Sequence, residues 1–348
     1  MKPKVYVIIL NYNSWLDTIE CVESVLKNDY SNFQVVVLDN NSSDNSLNYL
    51  KLWADGKLSP EHLGTKELNN LSVSSAIKKP LKYFYLTKKE LQTLSDKEKK
   101  QIFSNLINFN KNQYYSLVFI QNEENKGFAA GNNVFLKFLL DFEKDAFVFL
   151  VNPDIVIEKD TISKLVHCAK KDEIVGLSIH DYANPEKEII KAGFIRTEYG
   201  TVKPVDKFED LNKLDFISGS ALFCHISVFE KVGLLPEEYF LYWEEADWCT
   251  KAKRMGILLS YCKGSKVFDK GGCSVGGRNN RIAEYYYTYN LFTYYSKYFP
   301  DKKNKMYFFV LLRMVKKLLT GKVKVAVFIF KAFLDVLFSK KKKMFYSK

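Results

Sequence analysis

Along the first 160 positions the apolar residues come in short unbroken runs, each ending in a polar turn. Val5–Leu10 (VYVIIL) reads as a buried strand, and Asn11-Tyr12-Asn13-Ser14 turns the chain out of it. Trp15–Asn28 carries Leu16, Ile19, Val22, Val25 and Leu26 at helical spacing. Phe33–Leu38 (FQVVVL) is a second strand that stops at Asp39, before the turn Asn40-Asn41-Ser42-Ser43-Asp44, and Ser46–Leu52 reads as a second helix. Strand, helix, strand, helix opens a doubly wound α/β sheet. The run that organises the rest is Phe147–Asp154 (FVFLVNPD). Its unbroken apolar stretch fits a strand buried on both faces of a parallel sheet, and Pro153, lacking a ladder donor, forces the chain out. Asp154 then stands just beyond the carboxyl end of a central strand, where open α/β sheets hold ligands. Two readings stand for it: a carboxylate on a divalent cation beside a diphosphate, or a cap for a helix from about Lys159 to Lys170.

Between Trp53 and about Tyr115 the pattern loosens into a Lys-rich stretch, read as an insertion on the sheet's rim. Two capping boxes, Thr87-x-x-Glu90 and Ser95-x-x-Glu98, predict one or two helices there, ending near Phe109. Order returns with the strand Ser116–Gln121 and the turn Asn125-Lys126-Gly127-Phe128, whose small residues open a helix through Leu140. Those small residues suit close approach to a phosphate or ribose and suit helix-on-sheet packing equally. Farther on, Glu188–Lys207 reads as a hairpin turning near Glu198-Tyr199-Gly200, and Phe216–Cys224 as a strand broken at Ser218-Gly219-Ser220. An acidic and aromatic stretch, Tyr239–Trp248 (YFLYWEEADW), precedes a glycine-rich loop, Gly264–Gly277, that carries Asp269. Ile282–Phe299 is an aromatic helix.

Charge changes the picture only at the end of the chain. The net charge of +12 suggests nucleic-acid binding until it is located. Ser296–Lys348 holds fifteen Lys or Arg against Asp301 and Asp335, a net of +13, which leaves the other 295 residues at −1. A basic tail beside apolar helices points to anionic lipid and away from nucleic acid. Lys305–Leu319 and Val323–Phe338 have helical periodicity with Lys on one stripe, and neither offers the roughly 18–20 uninterrupted apolar residues that spanning needs. Two readings remain: helices lying in a membrane interface, closed by Lys340–Lys343, or a helical pair packed on the core. The six cysteines show no CxxC or zinc spacing and, without a signal peptide, read as reduced buried thiols of a cytosolic protein.

Taken in order, VIILNYNS, VVVLDNNSSDNS, ENKGFAAGNN, FLVNPD, FISGSALF, LYWEEADWC and the loop up to GGCSVGG resemble the inverting glycosyltransferases of family 2, and within them the bacterial rhamnosyltransferase-like group. The resemblance covers roughly residues 4–290 outside the insertion. It implies the GT-A nucleotide-diphospho-sugar transferase fold over residues 1–295, with 53–115 inserted and 296–348 as a membrane-associating tail. It further implies a nucleotide-sugar donor (dTDP-rhamnose or a UDP-sugar), a lipid-linked or oligosaccharide acceptor for surface polysaccharide, and a cytoplasmic, peripheral location on the inner membrane face.

By the same resemblance Asp39, with Asn11 beneath it and Asn41 in the turn, meets the nucleobase, and Lys126 and Gly127 lie along the nucleotide. Asn152-Pro153-Asp154 stands at the family's Asp-x-Asp motif, so Asp154 is the expected ligand of Mg²⁺ or Mn²⁺, and Ser218 and Gly219 lie along the donor. The acidic cluster places Glu245 at the general-base position, with Glu244 toward the acceptor; Trp243 beside it has two readings, a ring stacked on the acceptor sugar or a core Trp. Transfer with inversion is one displacement at the anomeric carbon, so a carboxylate within about 3 Å must take the acceptor hydroxyl's proton. Two positions depart from the family pattern. The base is usually Asp, so Asp247 competes with Glu245. Many relatives carry a His in the loop where this chain has Asp269, which is either a replacement oxygen ligand or a lost one. A dinucleotide-binding oxidoreductase is disfavoured by the lack of GxGxxG after the first strand, and a GT-A scaffold without activity stands as the alternative.

Overall fold

The computed structural model describes residues 2–59, 77–107, 116–189, 192–205, 214–271 and 280–338. In chain order it begins with β1 (Lys4–Asn11), α1 (Trp15–Leu26), β2 (Phe33–Asp39) and α2 (Ser46–Ala54). Next come β3 (Tyr83–Thr87), α3 (Lys88–Thr93), α4 (Asp96–Ile107), β4 (Leu117–Gln121), α5 (Phe128–Phe142), β5 (Ala146–Val151), β6 (Ile155–Ile157) and α6 (Thr161–Cys168). The middle holds β7 (Glu173–Asp181), β8 (Asn184–Ile189), β9 (Ala192–Arg196), β10 (Thr201–Pro204), β11 (Phe216–Ile217) and β12 (Ala221–His225). Then follow α7 (Ile226–Val232), α8 (Glu244–Arg254), β13 (Leu258–Asp269), α9 (Arg281–Tyr298), α10 (Lys303–Leu319) and α11 (Val323–Leu337).

Ten strands form one sheet in the order β3-β4-β2-β1-β5-β12-β7-β13-β6, with β8 beside β7. The half from β3 to β5 is parallel, so the carboxyl ends of its strands open on one rim. β12 then runs antiparallel to both β5 and β7. All six residues of β5 are buried, and they alternate between two cores. Val148 and Leu150 face the layer of α5, α7 and α8, whereas Phe147, Phe149 and Val151 face α1, α2 and α6. Each such side chain contributes about 1.5–3 kcal/mol on leaving water.

Several expectations need correction. The Lys-rich stretch supplies a strand of the main sheet, since β3 pairs in parallel with β4. Its five residues are all half-buried, so no apolar alternation announces an edge strand. The two capping boxes are both present: Thr87 N donates to Glu90 at 2.7 Å and Ser95 N to Glu98 at 2.8 Å. Phe216–Cys224 is two strands, because Ser218-Gly219-Ser220 carries the chain from a small sheet (β10-β9-β11) into the main one. Asp269 ends a long strand, not a loop; a bulge between Cys262 and Lys266 absorbs Gly264, and Gly272–Gly277 lie outside the described residues. Cys168 and Cys262 form a disulfide, contrary to the expectation of six free thiols, because α6 packs on β13 and brings together residues 94 apart. Cys21, Cys224 and Cys249 are buried and free.

The tail helices pack on the core by one face and turn the other to solvent. α10 and α11 bury Met306, Val310, Val325, Ala326, Ile329 and Ala332, with α11 lying along α9. Asp335 is buried there and accepts from the Tyr285 hydroxyl at 2.9 Å. Their outer faces expose Phe308, Leu312, Val315, Leu319 and Phe330. Among the described residues no helix is long and apolar enough to cross a membrane, and Lys340–Lys343 lie outside them.

Candidate active site

The parallel half of the sheet sets the first wall. β1 and β2 pair in register, so Asn11 stands opposite Asp39 at the rim. Asn11 Nδ2 donates to Asp39 Oδ1 at 2.7 Å and to Ser42 Oγ at 3.1 Å, while Ser42 N donates to Asp39 Oδ2 at 3.1 Å. Asp39 is buried, and that burial raises its carboxyl pKa against the lowering effect of these donors. Asn41 sits in a left-handed turn (φ 60°) with its side chain in solvent, and Lys126 is half-exposed in an ion pair with Glu124.

Beneath them lies an asparagine network that sequence reasoning missed. Asn40 Nδ2 donates to Asn125 Oδ1 at 2.8 Å, Asn122 Nδ2 donates to Asn40 Oδ1 at 3.0 Å, and Gly127 N donates to Asn125 Oδ1 at 3.0 Å. The three amides tie together the ends of β2, β4 and the start of α5. The available signal was an Asn within a few residues of each strand's end; none of the three was singled out.

The second wall is the Asn152-Pro153-Asp154 turn. Asn152 N donates to Ser220 O at 2.8 Å and Ile155 N to Asn152 O at 3.1 Å, which closes a tight link from β5 into β6. Ser218 Oγ lies 3.1 Å from Ser220 Oγ, and a Cβ on Gly219 would come 3.0 Å from the Phe128 ring. The capping reading of Asp154 fails, because the N-cap of α6 is Asp160. Asp154 is buried, and its backbone oxygen accepts from Lys270 N at 3.1 Å. Asp269 is buried too, and it opposes Ile155, the residue after Asp154, across the β6–β13 pair. Asp269 Oδ1 accepts from Gly271 N at 2.6 Å. Lys270 turns its ammonium to Asp17 (2.6 Å) and Glu20 on α1. Among the described residues no three His, Cys, Asp or Glu side chains converge as a metal cage.

The third wall starts α8. Tyr242 (φ 65°) and Trp243 (φ 76°) are consecutive left-handed residues, a conformation that costs a bulky side chain about 1–2 kcal/mol each. They aim Glu244 and Glu245 into the first helical turn, where the helix dipole favours negative charge. Glu244 is buried. Oε2 of Glu245 is buried and, among the described residues, has no hydrogen-bond partner. Burial raises the Glu245 pKa; its own backbone N–H acts in the opposite direction and does not cancel the effect.

Asp247 is placed differently from a base. Its Oδ2 accepts from Tyr239 OH at 2.8 Å and Lys297 Nζ at 2.7 Å, and its Oδ1 accepts from Tyr298 OH at 2.8 Å. With both oxygens engaged in the interior, Asp247 fastens α8 to α9. Trp243 is also a correction, since its indole is buried against Tyr287 and Tyr294 with Nε1 donating to Tyr287 O at 3.1 Å. It has no open face for a sugar.

Residues 6–83 match the family model described as glycosyl transferase family 2. Among curated proteins, the chain is 28% identical over 156 residues to the low-salt glycan biosynthesis hexosyltransferase Agl10 of Haloferax volcanii, covering 42% of this chain and 49% of that one. It is 25% identical over 153 residues to the rhamnosyltransferase WbbL of Escherichia coli, covering 39% of this chain and 57% of that one. The chain thus spans about half the length of the curated relatives it matches. Among solved structures, the mannosyltransferase PcManGT of Pyrobaculum calidifontis, in complex with GDP-Man and Mn²⁺, superposes with a TM-score of 0.52 at 14% identity, over 98% of this chain and 89% of that one. GalNAc-T7 with UDP, GalNAc and Mn²⁺ gives 0.53 at 13% identity, over 88% and 50%. These structural likenesses bear on the fold alone, which is GT-A. Residues 6–83 are thus similar to glycosyltransferase family 2, and the curated relatives that the chain resembles are named as glycosyltransferases.

Proposed function

We propose that this protein is an inverting glycosyltransferase that moves a sugar from a nucleoside-diphosphate donor to a hydroxyl of a lipid-linked oligosaccharide. The observation that carries the reading is Glu245, at the start of α8, whose buried Oε2 has no partner among the described residues and whose proton affinity is raised by burial. Such a group takes a proton from an attacking hydroxyl. Asp39, set by Asn11 and Ser42, receives a donor N–H of the nucleobase, and the half-exposed Lys126 lies along the nucleotide.

Asp154 and Asp269, both buried carboxylates near the β6–β13 pair, are the oxygen donors that would hold a hard divalent cation, with further positions left to a diphosphate and water. Mg²⁺ or Mn²⁺ bound there supplies charge neutralisation to the departing nucleoside diphosphate. Mn²⁺ accompanies the nucleotide ligands of both solved neighbours, which supports this choice. The names of the curated relatives support glycan assembly as the setting and a rhamnosyl or hexosyl donor to try first. The exposed apolar faces of α10 and α11, interleaved with Lys316, Lys324 and Lys331, suit peripheral attachment to an anionic leaflet.

The test is a screen of nucleotide sugars for binding and slow hydrolysis with Mg²⁺, with Mn²⁺ and with neither, repeated on Asp154→Ala. Release of one nucleoside diphosphate, dependent on metal and lost in the variant, is the expected result and names the donor. Absence of nucleotide-sugar binding under every condition would leave a GT-A scaffold without activity.

A further inference from the structure

We infer that Asn290 is a positioning residue for Glu245, reaching from α9 to hold the left-handed pair that aims the base. The inference rests on the reading of Glu245 as base. Asn290 is fully buried, and its Nδ2 donates to Leu241 O at 2.8 Å and to Tyr242 O at 3.0 Å. Two amide hydrogens thus fix the successive carbonyls on either side of Tyr242, the first of the two left-handed residues. One turn earlier on α9, Tyr287 O accepts the Trp243 indole N–H at 3.1 Å. On the far side of Glu245, Lys297 and Tyr298 of the same helix hold Asp247. The base therefore sits in a four-residue interval pinned at both ends to one helix. The Asn290 contacts are the ones that act on the strained backbone itself.

Left-handed backbone at a tyrosine and a tryptophan persists only where surrounding contacts over-determine it. Without the two amide bonds, Tyr242 relaxes toward ordinary φ and rotates the start of α8. The carboxylate then moves relative to the donor-side pair Asn11 and Asp39, which belong to β1 and β2. A displacement of about 1 Å at a reacting group costs on the order of 100-fold in turnover.

The experiment compares wild type, Asn290→Ala and the double variant Asn290→Ala/Tyr242→Asn, since asparagine accepts the left-handed conformation readily. Expected for Asn290→Ala are a kcat lower by about 100-fold, donor KM and nucleoside-diphosphate affinity within about twofold of wild type, and a displaced acid limb in the kcat profile. Adding Tyr242→Asn restores part of the lost kcat. If Asn290→Ala does not fold, Asn290→Ser keeps one donor and falls between it and wild type. An unchanged kcat and acid limb in either single variant overturns the inference, as does a kcat loss matched by an equal loss of donor affinity with no rescue. If wild type transfers no sugar under any condition, the reading of Glu245 fails first, and a working wild type separates the two failures.

Discussion

Gly127 and Phe240 meet through their backbones. Phe128 N donates to Phe240 O at 3.1 Å, and a Cβ built on Gly127 would stand 2.0 Å from that oxygen. The start of α5 is thereby seated directly on the segment that leads to Glu245.

Gly127→Ala is therefore expected to disturb both sides at once. The colliding atom is backbone and cannot swing away, and Gly127 also has a φ of 95° that L-residues rarely adopt. A loss of roughly 2–4 kcal/mol in urea unfolding is expected, with weaker nucleotide binding and weaker transfer together. Gly219→Ala, whose nearest neighbour is the movable Phe128 ring, should cost no more than about 1 kcal/mol.

Glu245→Gln separates chemistry from binding. Transfer should fall by about 10²–10⁴-fold while nucleoside-diphosphate affinity, measured calorimetrically, stays level. Because burial raises the Glu245 pKa, the acid limb of kcat/KM should lie above the ordinary glutamate value of about 4.3.

The same shift has a signature in stability. In the window between the unfolded and the raised folded pKa the native state holds the extra proton, so this residue's contribution declines as pH rises through it. Above the window the buried charge carries its full cost. Glu245→Gln should accordingly match wild type in melting temperature at acid pH and exceed it at neutral pH. A variant less stable than wild type at neutral pH would contradict the assigned direction.

Asp247 makes an opposite prediction. Asp247→Ala removes the buried acceptor for the Tyr239 and Tyr298 hydroxyls, while Lys297 keeps its pair with Glu238. Unfolding free energy should drop by about 2–4 kcal/mol, with Asp247→Asn intermediate. Activity should fall in step with stability, unlike the Glu245→Gln pattern.

The outer faces of α10 and α11 offer a test of attachment. Leu312→Asp together with Val315→Asp should abolish co-sedimentation with vesicles containing phosphatidylserine. Melting temperature should barely change, since both side chains already contact water and such surface changes stay within about 0.5 kcal/mol each. Binding of the wild type should weaken as salt rises, because the Lys contribution is screened.

The sequence by itself determined the local alphabet of this protein. The runs VYVIIL, FQVVVL and FVFLV could be read as buried strands because apolar continuity is a property of neighbouring residues. Asp39 and Asp154 were legible as rim carboxylates because each follows such a run, and both capping boxes were legible because their partners lie three residues apart. Tertiary structure decided what depends on distant partners. YFYLT became a strand only by lying beside β4, and Cys168 met Cys262 only because α6 covers β13. The different surroundings of Glu245 and Asp247 are of this kind as well. Two residues apart on one helix turn, they are chemically alike in sequence. They differ because α9 delivers Lys297 and Tyr298 to Asp247, whereas a buried oxygen of Glu245 is left without a partner among the described residues. Burial and partners fix a carboxylate's role, and both arise from packing between segments that the chain order keeps far apart.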